Sequence, residues 1–138
     1  MAQWGEIMSS FMDQNAETLS EQDQCNIKFI MALKNALNVI NGKWKLAIVA
    51  TMIKQPRRFN EIERLLQGIT PRMISKELKE LELNNVVEKI EQLDAESGRI
   101  IAMYDLTESG RGLEKLMVQM AVWGQEHKNH HSYYPDQI

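Results

Sequence analysis

Cysteine is almost absent from this 138-residue chain, in which Cys25 is the single example. One cysteine excludes an intrachain disulfide framework and a zinc site built on cysteine ligands. No apolar run approaches the roughly 20 residues that a membrane span needs. The N-terminal residues also lack the basic start and apolar core of a secretory signal. We therefore expect a cytoplasmic protein with no membrane partner and a single core.

Patterns typical of enzymes and metal sites are missing as well. The sequence has no Gly-rich phosphate loop and no Ser/His/Asp constellation. His127, His130 and His131 would share a face if the last helix continued, but they lie in a polar tail. Glu61 and Glu63 have no histidine or nucleophile near them in the sequence. We expect no metal, no cofactor and no enzymatic activity.

The chain is slightly acidic overall, but its positive charge is concentrated in the middle of the chain. The net charge is −3, yet residues 43–79 hold nine basic and only three acidic residues, an excess of six positive charges. The remaining residues hold seven basic and sixteen acidic residues, an excess of nine negative charges. Because salt screens exposed charges beyond about 10 Å, local patches rather than the net charge decide binding. The middle third is thus the candidate binding region.

The spacing of apolar residues predicts a mainly helical fold with one hairpin. Residues 1–20 form an extension with apolar residues at helical spacing, and residues 128–138 form a polar tail. Between them, helices are predicted over 20–41, 43–55, 59–66 and 70–83. The helical period stops after residue 85, and segments 86–91 and 100–104 predict two strands around the turn-forming residues 94–98. Thr107 then caps a last helix.

This order of elements predicts a winged helix-turn-helix domain over residues 21–127. About three residues separate the third and fourth helices, and Gly68 lies among them. A tight turn with glycine between two short helices is typical of a helix-turn-helix. The hairpin that follows would be the wing. The fold class is therefore mainly α with a small β-hairpin.

The segment TPRMISKELKEL (70–81) predicts a helix with two different faces. Thr70 as the N-cap and Pro71 at the first helical position mark its start. We call the polar side the basic face: Arg72, Ser75, Lys76 and Lys79. The opposite side is apolar: Ile74, Leu78 and Leu81. A lone charged stripe is usually a solvated surface, but on the second helix of a helix-turn-helix it favours contact with the DNA major groove.

Ordered motifs carry a resemblance to a known family. They are VINGKW (39–44), RFNEI (58–62), GITP (68–71), LKELE (78–82), YDLTESG (104–110) and WG (123–124). Over roughly residues 32–127 the chain resembles the HxlR-type winged-helix transcriptional regulators, relatives of the MarR group. The resemblance implies a prokaryotic, homodimeric regulator of double-stranded DNA whose fourth helix reads the major groove. Many members have a cysteine where this chain has Met31, so redox sensing is not carried over.

Further candidate residues surround the recognition helix. Backbone N–H groups at the start of the helix, which Thr70 and Pro71 mark, suit a phosphate, and Arg99 in the wing suits a minor groove or a phosphate. The acidic wing tip, with Asp94 and Glu96, would oppose such contact. Trp44 is expected in the core. The remaining candidates for DNA contact are Lys43, Lys45, Arg57, Arg58 and Lys89.

The terminal helices offer more apolar surface than a small winged helix can cover. We expect the protein to form a homodimer through these helices. The residues expected at the dimer interface are Ile27, Ile30, Met31, Leu113, Leu116, Met117, Met120 and Trp123. Cys25 could be a reactive thiol, although inert packing is favoured. Two alternatives to a DNA-binding regulator remain open: a protein-interaction adaptor without DNA affinity, and a regulator gated by an unidentified small-molecule effector or by oxidation.

Overall fold

The computed structural model describes residues 20–130, which belong to two compact units, one ending at Asn41 and one beginning at Gly42. The apolar residues at helical spacing in the N-terminal extension and the tail from residue 131 onward lie outside the described residues. The predicted domain limits at residues 20 and 127 stay predictions. No helix within residues 20–130 is both long enough and apolar enough to cross a membrane.

The described residues of the first unit form a long helix, α1 (Glu21–Ile40). The Ser20 side chain accepts a hydrogen bond from the backbone N–H of Asp23 at 3.2 Å, which confirms the predicted N-cap. Glu21 and Asp23 in the first turn suit the positive end of the helix dipole. The helix ends at Asn41, beside Gly42 with φ +91°, a conformation that favours glycine.

Three helices open the second unit: α2 (Lys45–Thr51), α3 (Phe59–Leu65) and α4 (Pro71–Leu83). Helix α2 is shorter than the predicted 43–55. Its last turn tightens, because the N–H groups of Met52 and Ile53 bond to carbonyls three residues earlier. The Thr51 hydroxyl also donates to the Ile48 carbonyl at 2.6 Å. The chain therefore leaves the helix before Pro56.

An antiparallel hairpin follows, formed by β1 (Val87–Leu93) and β2 (Ile100–Leu106). Each strand extends two residues beyond the predicted end, because the pairing continues from Leu93–Ile100 at the tip to Val87–Leu106 at the root. The sequence did not predict a third pairing. Arg57 and Tyr104 exchange two backbone hydrogen bonds of 2.9 and 2.7 Å, which joins the segment before α3 to the wing.

The C-terminal helix is interrupted near its start. Thr107 is the expected N-cap, since its side chain accepts from the Gly110 N–H at 3.0 Å, but it caps a single turn, α5 (Glu108–Arg111). Helix α6 (Leu113–His130) follows. The described elements confirm the predicted fold class. The core of the second unit is formed by fully or nearly fully buried side chains from α2 and the residue after it, α3, α4 and the hairpin root: Ile48, Val49, Met52, Ile62, Ile74, Leu78, Leu81, Val87 and Leu106.

Candidate nucleic-acid interface

Helix α4 has the two faces that its sequence predicts. Thr70 Oγ1 accepts from the Met73 N–H at 3.2 Å, and Pro71 occupies the first turn. Ile74, Leu78 and Leu81 are at most 2% exposed, so they attach the helix to the core. Burying three such side chains contributes about 1.5–3 kcal/mol each. The orientation of α4 about its axis is thus fixed by packing.

The basic face lies on the solvent side of α4. Arg72, Ser75, Lys76 and Lys79 are all exposed. Among residues 20–130, none of the three cations of this face forms an ion pair within 4 Å. Three free cations and a hydroxyl on one helix face can bind bases or phosphates.

The turn before α4 lies close to the start of α2. Gly68 has φ +95°, which requires glycine in practice, and a Cβ there would lie 3.9 Å from the Trp44 ring. Trp44 is 7% exposed and belongs to the core, as expected. Lys43 is exposed, and its Nζ lies 5.3 Å from the centroid of the Trp44 ring. Its ammonium can therefore reach solvent or a phosphate.

Lys45 does not lie on this surface, although the sequence suggested DNA contact. It is 4% exposed, and its Nζ donates to Glu77 Oε2 at 2.5 Å and to Glu80 Oε2. Burial opposes its charge, but the two carboxylates outweigh that effect and raise the pKa of Lys45. The reason for the difference is tertiary: helix α4 supplies two acids 32 and 35 residues away in the sequence. We leave Lys45 out of the proposed contact set.

The two arginines before α3 have different environments. Arg57 is half-buried; its Nε donates to the Thr51 carbonyl at 2.7 Å, and Nη1 lies 3.6 Å from Glu61 Oε2. Together with the bridge to Tyr104, these contacts give Arg57 a structural role. The Arg58 backbone N–H donates to Glu61 Oε1 at 3.2 Å, and its guanidinium is not used in that cap. Arg58 therefore remains a candidate for phosphate contact.

The wing carries exposed cations and an acidic tip. Lys89 and Arg99 are exposed. At the tip, the Asp94 carboxylate accepts from the Ser97 hydroxyl at 2.7 Å and from the Glu96 N–H at 3.4 Å. The Ser97 hydrogen bond is the largest cause of a lowered pKa at Asp94, with a small contribution from the charge of Arg58. This carboxylate therefore stays ionised and is tied to its own turn.

The other candidate residues are distributed over the two terminal helices. Cys25 is buried. The apolar residues proposed for dimerisation are exposed or half-buried: Ile27, Ile30, Met31, Leu116, Met120 and Trp123 are exposed, and Leu113 and Met117 are half-buried. The Trp123 and His127 rings stack at 4.7 Å. Residues 20–130 contain no group of three or more side chains that could hold a metal ion.

Known proteins resemble this chain in sequence and fold. The profile of the HxlR-like helix-turn-helix family matches residues 39–132. The HTH-type transcriptional regulator YybR of Bacillus subtilis is 33% identical over 120 residues, which cover 86% of this chain and 87% of YybR. The redox regulator HypR in its reduced form is 36% identical with a TM-score of 0.65, covering 74% of this chain and 99% of HypR.

A second solved structure agrees. Reduced YodB from Bacillus subtilis is 26% identical with a TM-score of 0.63, covering 73% of this chain and 96% of YodB. The family match spans more than half of the chain, including all three helices of the helix-turn-helix region and both strands of the wing. The chain belongs to the HxlR-like helix-turn-helix family.

Proposed function

We propose that this protein is a sequence-specific DNA-binding transcriptional regulator in which α4 reads the major groove. The carrying observation is the exposed basic face of α4, held outward by the burial of Ile74, Leu78 and Leu81. An α-helix fits the major groove, and its exposed side chains meet base edges there. The regulators YybR and YodB, which resemble this chain in sequence, support the same role.

Individual side chains have distinct roles in this proposal. Arg72 pairs bidentately with a guanine, and Lys76 contacts a base or a phosphate. Ser75 and Lys79 bind nearby oxygens of the DNA backbone, and the backbone N–H of Arg72, in the first turn after Thr70 and Pro71, receives a phosphate. Contacts outside α4 come from exposed or half-buried cations on the flanking segments: Lys43, Arg58, Lys89 and Arg99. Arg57 supports the wing through its bonds to Tyr104.

The regulator acts as a homodimer on a pseudo-palindromic operator. Helix α6 exposes Leu116, Met120 and Trp123 at positions spaced four and three residues apart, which align on one helix face. A stripe of this kind suits a second copy of the chain in a two-fold arrangement. Two recognition helices would then meet successive major grooves about 34 Å apart.

A redox-gated variant receives no support from the cysteine. Cys25 is 0% exposed, whereas a reactive thiol needs access to solvent. Met31, at the position where many relatives have cysteine, is 59% exposed and has no thiol. The regulator is therefore proposed without a redox signal, even though HypR is a redox regulator.

Binding to labelled duplexes from the DNA upstream of its own gene tests the proposal. We expect Arg72→Ala to lose about 1–3 kcal/mol of affinity for the specific site, measured by fluorescence anisotropy across a salt series. Lys115→Ala is the matched control, because it removes an exposed cation on α6 and should leave affinity within about 0.5 kcal/mol. Absence of any binding at about 50 mM salt would instead support the adaptor without DNA affinity.

A further inference from the structure

The recognition helix contains as many acidic as basic residues. Its thirteen residues include three cations, Arg72, Lys76 and Lys79, and three acids, Glu77, Glu80 and Glu82. DNA binding depends on cations that neutralise phosphates, and carboxylates nearby oppose it. The placement of the acids therefore decides whether α4 presents a positive face.

Lys45 contacts two of these acids from the first turn of α2. Its Nζ lies 2.5 Å from Glu77 Oε2 and also contacts Glu80 Oε2. The side chain of Lys45 is 5% exposed and that of Glu77 14%, so solvent and salt screen this group less than a surface pair. Glu77 and Glu80 lie on the flank between the basic face and the buried face of α4.

Glu80 also has a second cation within reach. Its pKa is lowered, chiefly by the hydrogen bond from Lys45 and more weakly by the charges of Lys45 and Lys76. Lys76 precedes Glu80 by four residues on α4, a spacing at which opposite charges pair on a helix. Without Lys45, the Glu80 carboxylate could pair with Lys76. That carboxylate and a DNA phosphate would then compete for the Lys76 ammonium.

We propose that Lys45 is a positioning residue for DNA binding. It holds the carboxylates of Glu77 and Glu80 at the flank of α4 and leaves the cations of the basic face to the phosphates. Lys45 itself is too buried to touch DNA. This inference rests on the proposed function and assigns a role to a lysine that the sequence suggested as a direct DNA contact.

Two variants of the full-length chain separate an indirect role from a direct one. Lys45→Met removes the charge and leaves the two carboxylates without their ammonium partner. The neutral-cluster variant, Lys45→Met/Glu77→Gln/Glu80→Gln, removes the acids as well. Affinity for a labelled operator duplex is measured by anisotropy from about 50 to 200 mM KCl, and circular dichroism verifies folding. Lys45→Met should bind about tenfold more weakly, and the neutral-cluster variant should return to within about threefold of wild type.

The salt dependence separates an indirect role of Lys45 from a direct contact with a phosphate, and a loss of affinity in folded Lys45→Met is the readout that a merely structural role would not move. If Lys45 contacted a phosphate, the neutral-cluster variant would lose about 0.9 from the slope of log affinity against log salt. The proposal expects the wild-type slope instead. A reduced slope, or a folded neutral-cluster variant that stays more than about threefold weaker than wild type, overturns it.

The remaining outcomes are equally decisive. Lys45→Met binding as tightly as wild type would show that the acids need no neutralisation, which refutes the proposal. If Lys45→Met does not fold, Lys45→Gln takes its place, because it removes the same charge and keeps a polar group beside the two carboxylates; binding as tight as wild type would then refute the proposal. If wild type itself binds no duplex, the proposed function fails and this inference fails with it. If wild type binds the duplex but the variants do not behave as expected, the proposed role of Lys45 fails and the proposed function stands.

Discussion

Gly110 shows how one residue joins three parts of the second unit. A Cβ built at this position would lie 2.1 Å from the backbone oxygen of Val86, closer than any real contact. The Gly110 N–H donates to Thr107 Oγ1, and the Thr107 hydroxyl in turn donates to the Asn85 carbonyl at 2.6 Å. The start of α5 is therefore packed directly against the backbone that connects α4 to β1.

We expect Gly110→Ala to lower the free energy of unfolding by about 3 kcal/mol or more, because backbone must move to admit the methyl group. Urea denaturation followed by circular dichroism measures the change. Gly124→Ala is the control: no atom lies within 4 Å of its added Cβ, and alanine favours a helix interior. Equal stabilities for the two variants would contradict the close packing at Val86.

How well the sequence predicted the environment of a residue depended on how far along the chain its contact partners lie. The faces of α4 follow from helical periodicity, so the burial of Ile74 and Leu78 and the exposure of Arg72 could be predicted. The environment of Lys45 could not, because its partners are more than 30 residues away. A cluster of acids at one flank of α4 was the available signal.

At the scale of elements, local signals fixed where helices begin better than where they end. Ser20, Thr70 and Thr107 each cap a helix as expected, since a cap needs only a side chain and an N–H three residues later. The end of α2 and the break between α5 and α6 were missed. No proline marks either point. The last turn of α2 tightens through hydrogen bonds to carbonyls three residues earlier, and the start of α5 packs against the backbone of Val86.

The contact between α2 and α4 predicts an acid-dependent stability. The pKa of Glu80 lies below its ordinary value of 4.5, chiefly because of the Lys45 hydrogen bond, so its contribution is present above pH 4.5 and is lost as pH falls through the lowered value. The raised pKa of Lys45 places the other limit above 10.5, where the contribution is lost as pH rises. Between these limits the pair is fully charged.

We therefore expect the difference in unfolding free energy between wild type and Glu80→Gln to stay constant near neutral pH and to shrink below pH 4.5. Urea titrations at several pH values measure it. Glu82→Gln removes the same charge at an exposed position of α4 and serves as the control. A Glu80→Gln difference that grows as the solution is acidified would contradict the assigned sign.

At the scale of the whole molecule, the charge distribution restricts which surface can meet DNA. The positive excess of residues 43–79 contrasts with the negative excess of the rest of the chain. A negative polymer is therefore attracted to the helix-turn-helix region and repelled by other acidic segments, which favours one docking orientation and strong salt dependence. The terminal helices lie outside this positive segment, and they expose apolar side chains that suit a contact with another protein surface.

Helix α6 supplies such a surface, and it yields a prediction about assembly. Trp123 is 65% exposed, Met120 48% and Leu116 40%, an unusual row of apolar side chains to leave in water. We expect Met120→Glu to convert a dimer into a monomer, because it places two like charges in an apolar two-fold contact. Sedimentation velocity at micromolar concentration measures the mass.

The DNA affinity of the same variant links assembly to function. A monomer keeps one recognition helix, so Met120→Glu should bind a duplex with two half-sites far more weakly than wild type while binding a single half-site equally well. Gln125→Glu, on the opposite side of α6, is the matched control and should remain dimeric. A wild type that sediments as a monomer, or a Met120→Glu variant that remains dimeric, would place the dimer contact elsewhere.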